Sequence, residues 1–176
     1  MKIISTRLKG LKILEGQSFF DNRGYFREVY RNNFLKSKKI IFWSISESKK
    51  NVVRGLHLQN KFKQAKLVTV VKGKIFDVAL DLRKNSKTYG KYYSSILSEK
   101  NSKSLYIPIG FAHGFCSLEN HSLVIYGMSN YRSKKNEVGI IWNDKSINIK
   151  WPIKKPIVSK KDKNNITLKT FNNLYR

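Results

Sequence analysis

The histidines are the residues of this sequence best suited to acid–base chemistry. His57 lies in VRGLHLQ (residues 53–59), His113 lies in IPIGFAHGF (residues 107–115), and His121 follows in a polar segment. A neutral imidazole titrates near pH 7, so it can take a proton from a carbon next to a carbonyl group. A histidine base is therefore the leading chemical interpretation, and His121 receives no role. The simpler alternative is a histidine that is only hydrogen-bonded within a core.

A base of this kind needs three partners: a carboxylate that orients the imidazole, a cation that stabilises the enolate oxygen, and an acid that returns a proton. The sequence offers candidates for each, and composition and spacing do not choose among them. They are Asp162 or Asp77 for orientation, Lys66 for the enolate, and Tyr126 or Tyr131 for the acid. Taken singly, each of these residues is better explained by packing or by a hydrogen bond within the core.

The spacing of the same histidines disfavours a metal site. Pro108, Gly110 and His113 have the Pro-x-Gly-x-x-His spacing of the second cupin motif. In metal-binding cupins that histidine joins a His-x-His pair and a glutamate. Here the first motif is His57-x-Gln59, one imidazole and one amide, which makes a poor transition-metal site. We expect no metal.

Short strands must position these residues, because helical periodicity is scarce and short apolar or alternating runs dominate. Residues 72–74 (KGK) separate two such runs, and we predict a β-hairpin there. In its second strand, Phe76, Val78, Leu80 and Leu82 share one face, opposite Asp77, Ala79 and Asp81. The predicted strands are 25–30, 66–71, 75–82, 105–107, 115–118, 123–128 and 138–142, and one short helix is predicted over 33–39.

This pattern indicates an all-β fold: a cupin-type jelly-roll β-barrel or sandwich with a few short peripheral helices. A length of 176 residues suits one domain, 1–176, with no repeat or linker. From about residue 153 the chain is polar. We predict an irregular tail there that packs on the barrel only in part.

The composition excludes several classes of protein. The chain has 36 Lys and Arg against 11 Asp and Glu, a formal net charge of +25, but the lysines form scattered pairs without a nucleic-acid-binding motif. We expect a solvated surface that attracts a small anionic substrate, and no nucleic acid or membrane partner. With 40% apolar and 12% aromatic residues the chain is not a disordered tail. One cysteine, Cys116, excludes an intrachain disulfide. The polar N-terminus is unlike a signal peptide, so we expect a cytoplasmic protein.

A series of motifs carries a family resemblance over residues 20–164. They are DNRGYFRE (21–28), KKNVVRGLH (49–57), KLV (66–68), FDVALDLR (76–83), SKTYG (86–90), IPIGFAHGF (107–115), EVGIIWND (137–144), IKWP (149–152) and SKKD (159–162). In this order they resemble the dTDP-4-dehydrorhamnose 3,5-epimerase family, cupin-type enzymes that act on nucleotide-linked 4-keto-6-deoxy sugars. One such motif would be weak evidence, whereas this many in family order is strong.

The resemblance implies an enzyme that works through an enolate. His57 would remove the protons at C3 and C5 of the sugar, and Asp162 would be its dyad partner. Lys66 would stabilise the enolate oxygen at C4, and Tyr126 would be the acid on the opposite ring face. The keto group is itself the electron sink, so the resemblance implies no cofactor.

The resemblance also implies a binding surface and a homodimer formed by strand exchange near the N-terminus. The implied substrate-binding residues are His113 and Tyr131 for the sugar, Arg23, Glu28 and Arg54 for the diphosphate and nucleotide, and Phe26 for packing near the base. The pathway implied is deoxysugar synthesis of the dTDP-L-rhamnose type, or surface-polysaccharide synthesis.

Three segments depart from the family pattern. Residues 42–44 are FWS, where the family has Gln-x-Asn against thymine; Gly127 replaces a lysine after the acid; and residues 132–134 (RSK) replace an aromatic, proline-bearing segment. These changes leave open a GDP- or CDP-linked sugar, or epimerisation of one carbon only. They also leave open a ketoisomerase on such substrates and a non-catalytic or nucleic-acid-binding basic cupin-like protein.

Overall fold

Two β-sheets face each other in the computed structural model, which describes residues 1–33 and 39–175. The first sheet contains β1 (Lys2–Ser5), β2 (Lys12–Glu15), β5 (Phe42–Ser48), β7 (Lys66–Lys72), β10 (Lys103–Ile107) and β12 (Ser122–Met128). The second contains β6 (Val52–Gln59), β8 (Lys74–Asp81), β9 (Tyr92–Ser98), β11 (Phe111–Ser117), β13 (Glu137–Gly139) and β14 (Ile157–Val158). A separate hairpin pairs β3 (Ser18–Asp21) with β4 (Gly24–Arg27).

The strand order shows long-range pairing in both sheets. The first sheet runs β1-β2-β10-β7-β12-β5, and the second runs β13-β6-β11-β8-β9, with β14 added in parallel to β6. The helices are short: a 3-10 turn at Lys134–Asn136, α1 (Lys160–Lys163) and α2 (Leu168–Tyr175). The predicted all-β jelly roll with short peripheral helices is confirmed. The helix predicted over 33–39 falls largely outside the described residues.

The hairpin predicted around residues 72–74 is wrong. β7 lies between β10 and β12 in the first sheet, whereas β8 lies between β11 and β9 in the second. Gly73 connects them at φ +79°, and a Cβ there would lie 2.6 Å from the Ser122 hydroxyl oxygen. A glycine turn between apolar runs is common to hairpins and to corners where the chain changes sheets. The sequence signal could not separate the two.

Alternate residues of both sheets fill the space between them. Val68 and Val70 of β7, Ala79 of β8, Phe115 of β11 and Val124 of β12 belong to one buried cluster. Removing this apolar surface from water is the main favourable contribution to folding. The cluster also fixes which side chains of each strand point inward, since side chains alternate along a strand.

The apolar face of β8 points away from this inner core. Val78 and Leu80 belong to a second cluster, on the outer side of the second sheet, with Ile140, Ile147 and Phe171. The C-terminal segment thus includes two short helices, α1 and α2, which corrects the expectation of an irregular tail. It packs on the sheet through its few apolar residues, while most of its residues stay exposed or half-buried. The few apolar residues of this polar segment, at helical spacing in α2, are enough to anchor it.

Candidate active site

A cavity of about 520 Å³ opens between strands of both sheets. The predicted site residues that line it are His57 and Arg54 on β6, Lys66 on β7, His113 on β11, Tyr126 on β12 and Asp162 on α1. Residues up to 108 positions apart in the chain (54 to 162) therefore meet in one place. All four predicted catalytic residues are among them.

Strand alternation explains why several of these polar side chains point into the cavity. Lys66 shares the inward face of β7 with Val68 and Val70, and Tyr126 shares that of β12 with Val124. At the cavity, the inward faces of these strands therefore carry polar side chains next to the apolar residues of the inner core. Packing of the apolar neighbours holds them in position.

His57 and Asp162 form a hydrogen-bonded pair at the cavity wall. His57 Nε2 lies 2.6 Å from Asp162 Oδ1, and Asp162 Oδ2 accepts from the Gly55 N–H at 3.2 Å. A carboxylate only accepts, so Nε2 donates and the other ring nitrogen, Nδ1, keeps a lone pair. Burial raises the pKa of Asp162, but the hydrogen bond and charge of His57 outweigh it and hold that pKa below its usual range. This arrangement leaves His57 poised to accept a proton.

The start of the C-terminal segment places Asp162 beside β6. β14 pairs in parallel with β6 through Ile157 and Val52. The Ser159 side chain then accepts from the Asp162 N–H at 3.1 Å and caps α1. As a result Asp162 is only 4% exposed. The SKKD motif thus supplies both the cap and the carboxylate.

Lys66 is a cation of the cavity that is hydrogen-bonded to the backbone of the candidate base. Its Nζ donates to the His57 carbonyl oxygen at 3.3 Å. Burial lowers the pKa of Lys66 to about 8; the negative charge of Asp77 opposes this fall and the positive charge of Arg132 adds to it. Lys66 is therefore mainly charged at neutral pH and can stabilise a developing oxyanion.

Tyr126 provides a protonated phenol on the first sheet, whereas His57 is on the second. Its hydroxyl is 2.7 Å from Ser46 Oγ on the neighbouring strand β5. Burial raises the pKa of Tyr126 far above its ordinary value, an effect that the Ser46 hydrogen bond opposes and the charge of Asp77 reinforces. The group therefore stays protonated across the physiological range and can act as an acid.

A second histidine–aspartate pair lies next to the first. His113 is the cross-strand partner of His57, and its Nε2 is 2.8 Å from Asp77 Oδ2. The His113 ring also contacts Tyr126, with ring centroids 6.2 Å apart. Asp162 and Asp77, the two carboxylates that sequence reasoning left open, thus serve different histidines.

The other predicted binding residues lie outside this cavity in the single chain. Arg23 is 85% exposed at the tip of the β3–β4 hairpin, and Phe26 is 71% exposed on β4. Glu28 forms an ion pair with Arg31 just after β4. Tyr131 is 65% exposed and packs its ring on Phe42, a residue of the cavity wall, with centroids 5.9 Å apart.

The structure adds cavity residues that sequence reasoning missed. Glu137 at the start of β13 forms ion pairs with Arg132, at 3.1 Å, and with Lys161. All three line the cavity, as does Ser46. Arg, Glu, Lys and Ser are common on protein surfaces, so their presence in the sequence gave no signal. Only the folded chain brings these four residues together.

Two of the departures from the family pattern are neighbours in space. Phe42 and Ser44 line the cavity, while Trp43 between them faces the other side of β5. Trp43 pairs with Gly127 of β12, and a Cβ at Gly127 would lie 2.8 Å from the Trp43 ring. The tryptophan thus occupies space that a side chain at position 127 would need.

Two further classes of site were sought in the described residues. In 1–33 and 39–175, no three His, Cys, Asp or Glu side chains are grouped closely enough to hold a metal ion. The same residues contain no helix with the length and apolar content that crossing a bilayer requires.

The chain is similar to known proteins over nearly its whole length. The sequence model of the dTDP-4-dehydrorhamnose 3,5-epimerase family matches residues 5–170. The enzyme of that name from Shigella flexneri is 44% identical over 170 residues, covering 93% of this chain and 94% of the relative.

Solved structures of 3,5-epimerases are similar to this chain in fold as well as in sequence. The dTDP-4-dehydrorhamnose 3,5-epimerase of Bacillus anthracis with TDP and PPi bound has a TM-score of 0.91 and 40% identity, over 95% of this chain and 99% of that one. The dTDP-6-deoxy-D-glucose-3,5-epimerase of Legionella pneumophila in complex with dTDP-4-keto-L-rhamnose has a TM-score of 0.91 and 35% identity. The match covers 96% of this chain and 93% of that one.

Proposed function

Since the chain belongs to the dTDP-4-dehydrorhamnose 3,5-epimerase family of isomerases, we propose that it epimerises dTDP-4-dehydro-6-deoxy-D-glucose at C3 and C5. The relatives' names support this substrate and a place in dTDP-rhamnose synthesis. The observation that carries the proposal is the pairing of His57 with Asp162 in the same cavity as Lys66 and Tyr126.

The proposed reaction is two rounds of proton transfer through an enolate. His57 takes the proton from the carbon next to the C4 ketone, while the Lys66 ammonium stabilises the negative charge that develops on the C4 oxygen. Tyr126 then donates a proton to the same carbon from the other ring face. Before the second round, solvent takes the proton from His57 and returns one to the Tyr126 phenolate. Because His57 and Tyr126 lie on different sheets, removal and return of the proton on opposite faces is the outcome that the geometry favours.

Arg54 is the proposed diphosphate ligand within the chain. Its guanidinium is held by Ser48 Oγ at 3.0 Å and by the Glu47 carbonyl oxygen at 2.8 Å, and it lines the cavity. A planar guanidinium fixed in this way suits two phosphate oxygens at once.

We further propose that the β3–β4 hairpin completes the cavity of a second copy in a homodimer. Phe19, Phe20, Tyr25 and Phe26 are all at least half exposed on this two-stranded element. An isolated hairpin with so many exposed aromatic rings is typical of an interaction surface. This arrangement would bring Arg23, Phe26 and Glu28 to substrate even though they lie outside the cavity of their own chain.

Deuterium uptake tests the proposed reaction. The protein is incubated with dTDP-4-keto-6-deoxyglucose in deuterated water, and the sugar is examined by mass spectrometry. Two deuterons are expected. One deuteron would mean epimerisation of a single carbon. With none, GDP- and CDP-linked 4-keto sugars are tried next; uptake with one of them would reassign the nucleotide, and none at all would refute an epimerase.

The chain offers a matched control for the candidate base. His57→Asn should abolish uptake because no other imidazole is paired with Asp162. His121→Asn should leave it unchanged, since His121 is exposed, pairs with Glu47 and is not part of the cavity wall. Uptake that persists in His57→Asn would refute His57 as the base.

Mixing two inactive variants tests the hairpin. If Arg23 serves the partner's cavity, a mixture of Arg23→Ala and His57→Asn subunits should regain activity after exchange, because one site in the mixed dimer is intact. No regain in demonstrably mixed dimers would show that the hairpin acts elsewhere. A monomer in sedimentation experiments would refute the homodimer.

A further inference from the structure

Arg132 is a cavity residue to which the proposed proton transfers give no role. It follows β12 in the chain and lines the cavity. Its Nε donates to Glu137 Oε2 at 3.1 Å, whereas its two terminal nitrogens have no hydrogen-bond acceptor within residues 1–33 and 39–175. Each terminal nitrogen of a guanidinium carries two N–H donors. Arg132 therefore has donors that a ligand in the cavity can use.

A buried glutamine fixes the backbone on both sides of Arg132. Gln59 Nε2 donates to the Tyr131 carbonyl oxygen at 3.3 Å, and Gln59 Oε1 accepts from the Ser133 N–H at 2.7 Å. Gln59 is only 5% exposed. Because both bonds come from one buried side chain, the fold determines where the arginine leaves the backbone.

Glu137 fixes the guanidinium itself. Its side chain is 11% exposed and forms ion pairs with both Arg132 and Lys161, and all three residues line the cavity. The carboxylate thus offsets part of the positive charge at this place. A cation whose charge is partly offset suits a neutral polar ligand group, such as a sugar oxygen, better than it suits a phosphate.

Arg132 lies at the end of the cavity that holds Lys66. Met128 at the end of β12 pairs with Lys66 at the start of β7. Beyond this pair, Gln64 Nε2 donates to the Asn130 carbonyl oxygen at 2.8 Å. The chain that leads from Met128 to Arg132 therefore runs beside the residues that precede Lys66.

Arg54 lies at the other end of the cavity. It is near the start of β6, His57 follows three residues later, and Gln59, which binds the backbone around Arg132, is the last residue of the strand. Along β6, the candidate base is thus between the arginine proposed for the diphosphate and the part of the cavity wall that carries Arg132.

This order indicates which part of the substrate meets Arg132. In a pyranose ring, C4 lies across the ring from C1, which carries the diphosphate. With the diphosphate at Arg54 and the reacting carbons at His57, the ketone side of the sugar faces Arg132. We propose that Arg132 is a substrate-binding residue whose terminal nitrogens donate to a sugar oxygen on that side, the C4 oxygen or the C3 hydroxyl. The placement of the sugar rests on the proposed function.

A comparison of two ligands separates sugar binding from nucleotide binding. Isothermal titration calorimetry gives the Kd of dTDP and of dTDP-glucose, which has the same nucleotide, carries oxygens at C3 and C4, and has no ketone to react. Arg132→Gln should weaken dTDP-glucose binding by at least about tenfold and leave dTDP binding within about twofold, because a charged donor to the sugar is lost. An unchanged Kd for dTDP-glucose, or an equal loss for both ligands, would overturn the proposal.

Lys134→Gln is the matched control. It removes the same charge two residues further on, from an exposed side chain that is not part of the cavity wall. Both Kd values should stay as in the native protein, and a selective loss of dTDP-glucose binding in this variant would overturn the proposal. Arg132→Lys keeps the charge but replaces the planar fork with a single nitrogen, so it should recover only part of the lost affinity.

The native protein shows separately whether the proposed function holds. If it binds neither dTDP nor dTDP-glucose, the proposed nucleotide is wrong, and the same comparison is made with GDP or CDP and the corresponding glucose conjugate. A loss in Arg132→Gln that is confined to the glucose conjugate would then still support the proposal for Arg132. A native protein that binds none of these nucleotides or conjugates would overturn both proposals.

Discussion

Replacing Asp162 with asparagine removes the charge that orients the candidate base and keeps the shape of the side chain. In the native protein, Asp162 accepts from His57 through one oxygen, at 2.6 Å, and from the Gly55 N–H through the other, at 3.2 Å. An asparagine has one oxygen and one amide nitrogen, so it cannot accept both. If its oxygen takes the Gly55 N–H, its NH₂ group faces His57 Nε2. The imidazole must then carry its proton on Nδ1, the atom that should accept the substrate proton.

The size of the effect follows from these two losses. A hydrogen bond to a charged group contributes about 1.5–3 kcal/mol, or roughly 10- to 150-fold in rate if it serves only the transition state. The wrong tautomer adds to this, and the loss in kcat should reach about 10³- to 10⁴-fold, as for a triad aspartate replaced by asparagine. KM should change far less, because Arg54 and the rest of the cavity wall are untouched.

The assay is deuterium uptake at saturating substrate, together with thermal unfolding. Asp144→Asn provides the control, since Asp144 is also buried and accepts from Ser146 and the Leu168 N–H outside the cavity. Both variants should unfold a few degrees earlier than the native protein, but only Asp162→Asn should lose kcat. An Asp162→Asn protein that retains kcat within about tenfold of the native value would refute the orienting role.

Three shorter predictions concern the acid, the strand packing and the acid stability. Tyr126→Phe removes the hydroxyl bound to Ser46. It should cut net epimerisation by about 10²- to 10⁴-fold while deuterium exchange at C3 persists. Product chromatography measures the epimerisation, and mass spectrometry measures the exchange. Full turnover would contradict the role of Tyr126. Gly114→Ala should lower the free energy of unfolding by about 1–3 kcal/mol in denaturant titrations, because the new Cβ would lie 2.6 Å from the Arg54 carbonyl oxygen. Burial would raise the pKa of Asp81, but hydrogen bonds lower it from 3.8 to about 2, so its stabilisation is complete above pH 4 and is lost as the pH falls toward 2. The stability gap between native protein and Asp81→Asn should therefore close between pH 4 and pH 2, and a gap that widens there would contradict the assignment.

The sequence was sufficient for the fold class, and the four residues that it proposed as catalytic lie together in the folded chain. Short apolar runs with glycine turns predicted an all-β jelly roll, and the motifs around His57, Lys66, Tyr126 and Asp162 fall in one cavity. Local patterns suffice for these conclusions because strand alternation depends on neighbouring residues, and motif order is a property of the chain itself.

Pairing of strands was not determined by the sequence. The glycine turn at residue 73 joins two sheets rather than two partners, and which strands pair depends on contacts far apart in the chain. The same reason explains the C-terminal segment, whose apolar residues find their partners on β8, about 90 positions earlier.

Electrostatic partnerships were also left to the tertiary structure. Spacing alone offered Asp77 and Asp162 as equal candidates, and the family resemblance implied Asp162 as the partner of His57. The folded chain pairs Asp162 with His57 and shows that Asp77 pairs with His113. Likewise, only the fold brings Arg132 and Glu137 to the cavity and leaves Arg23 and Phe26 on an exposed hairpin. The sequence determines which groups can do chemistry. Their distances, burial and charge neighbours, which set protonation, arise only when the two sheets pack face to face.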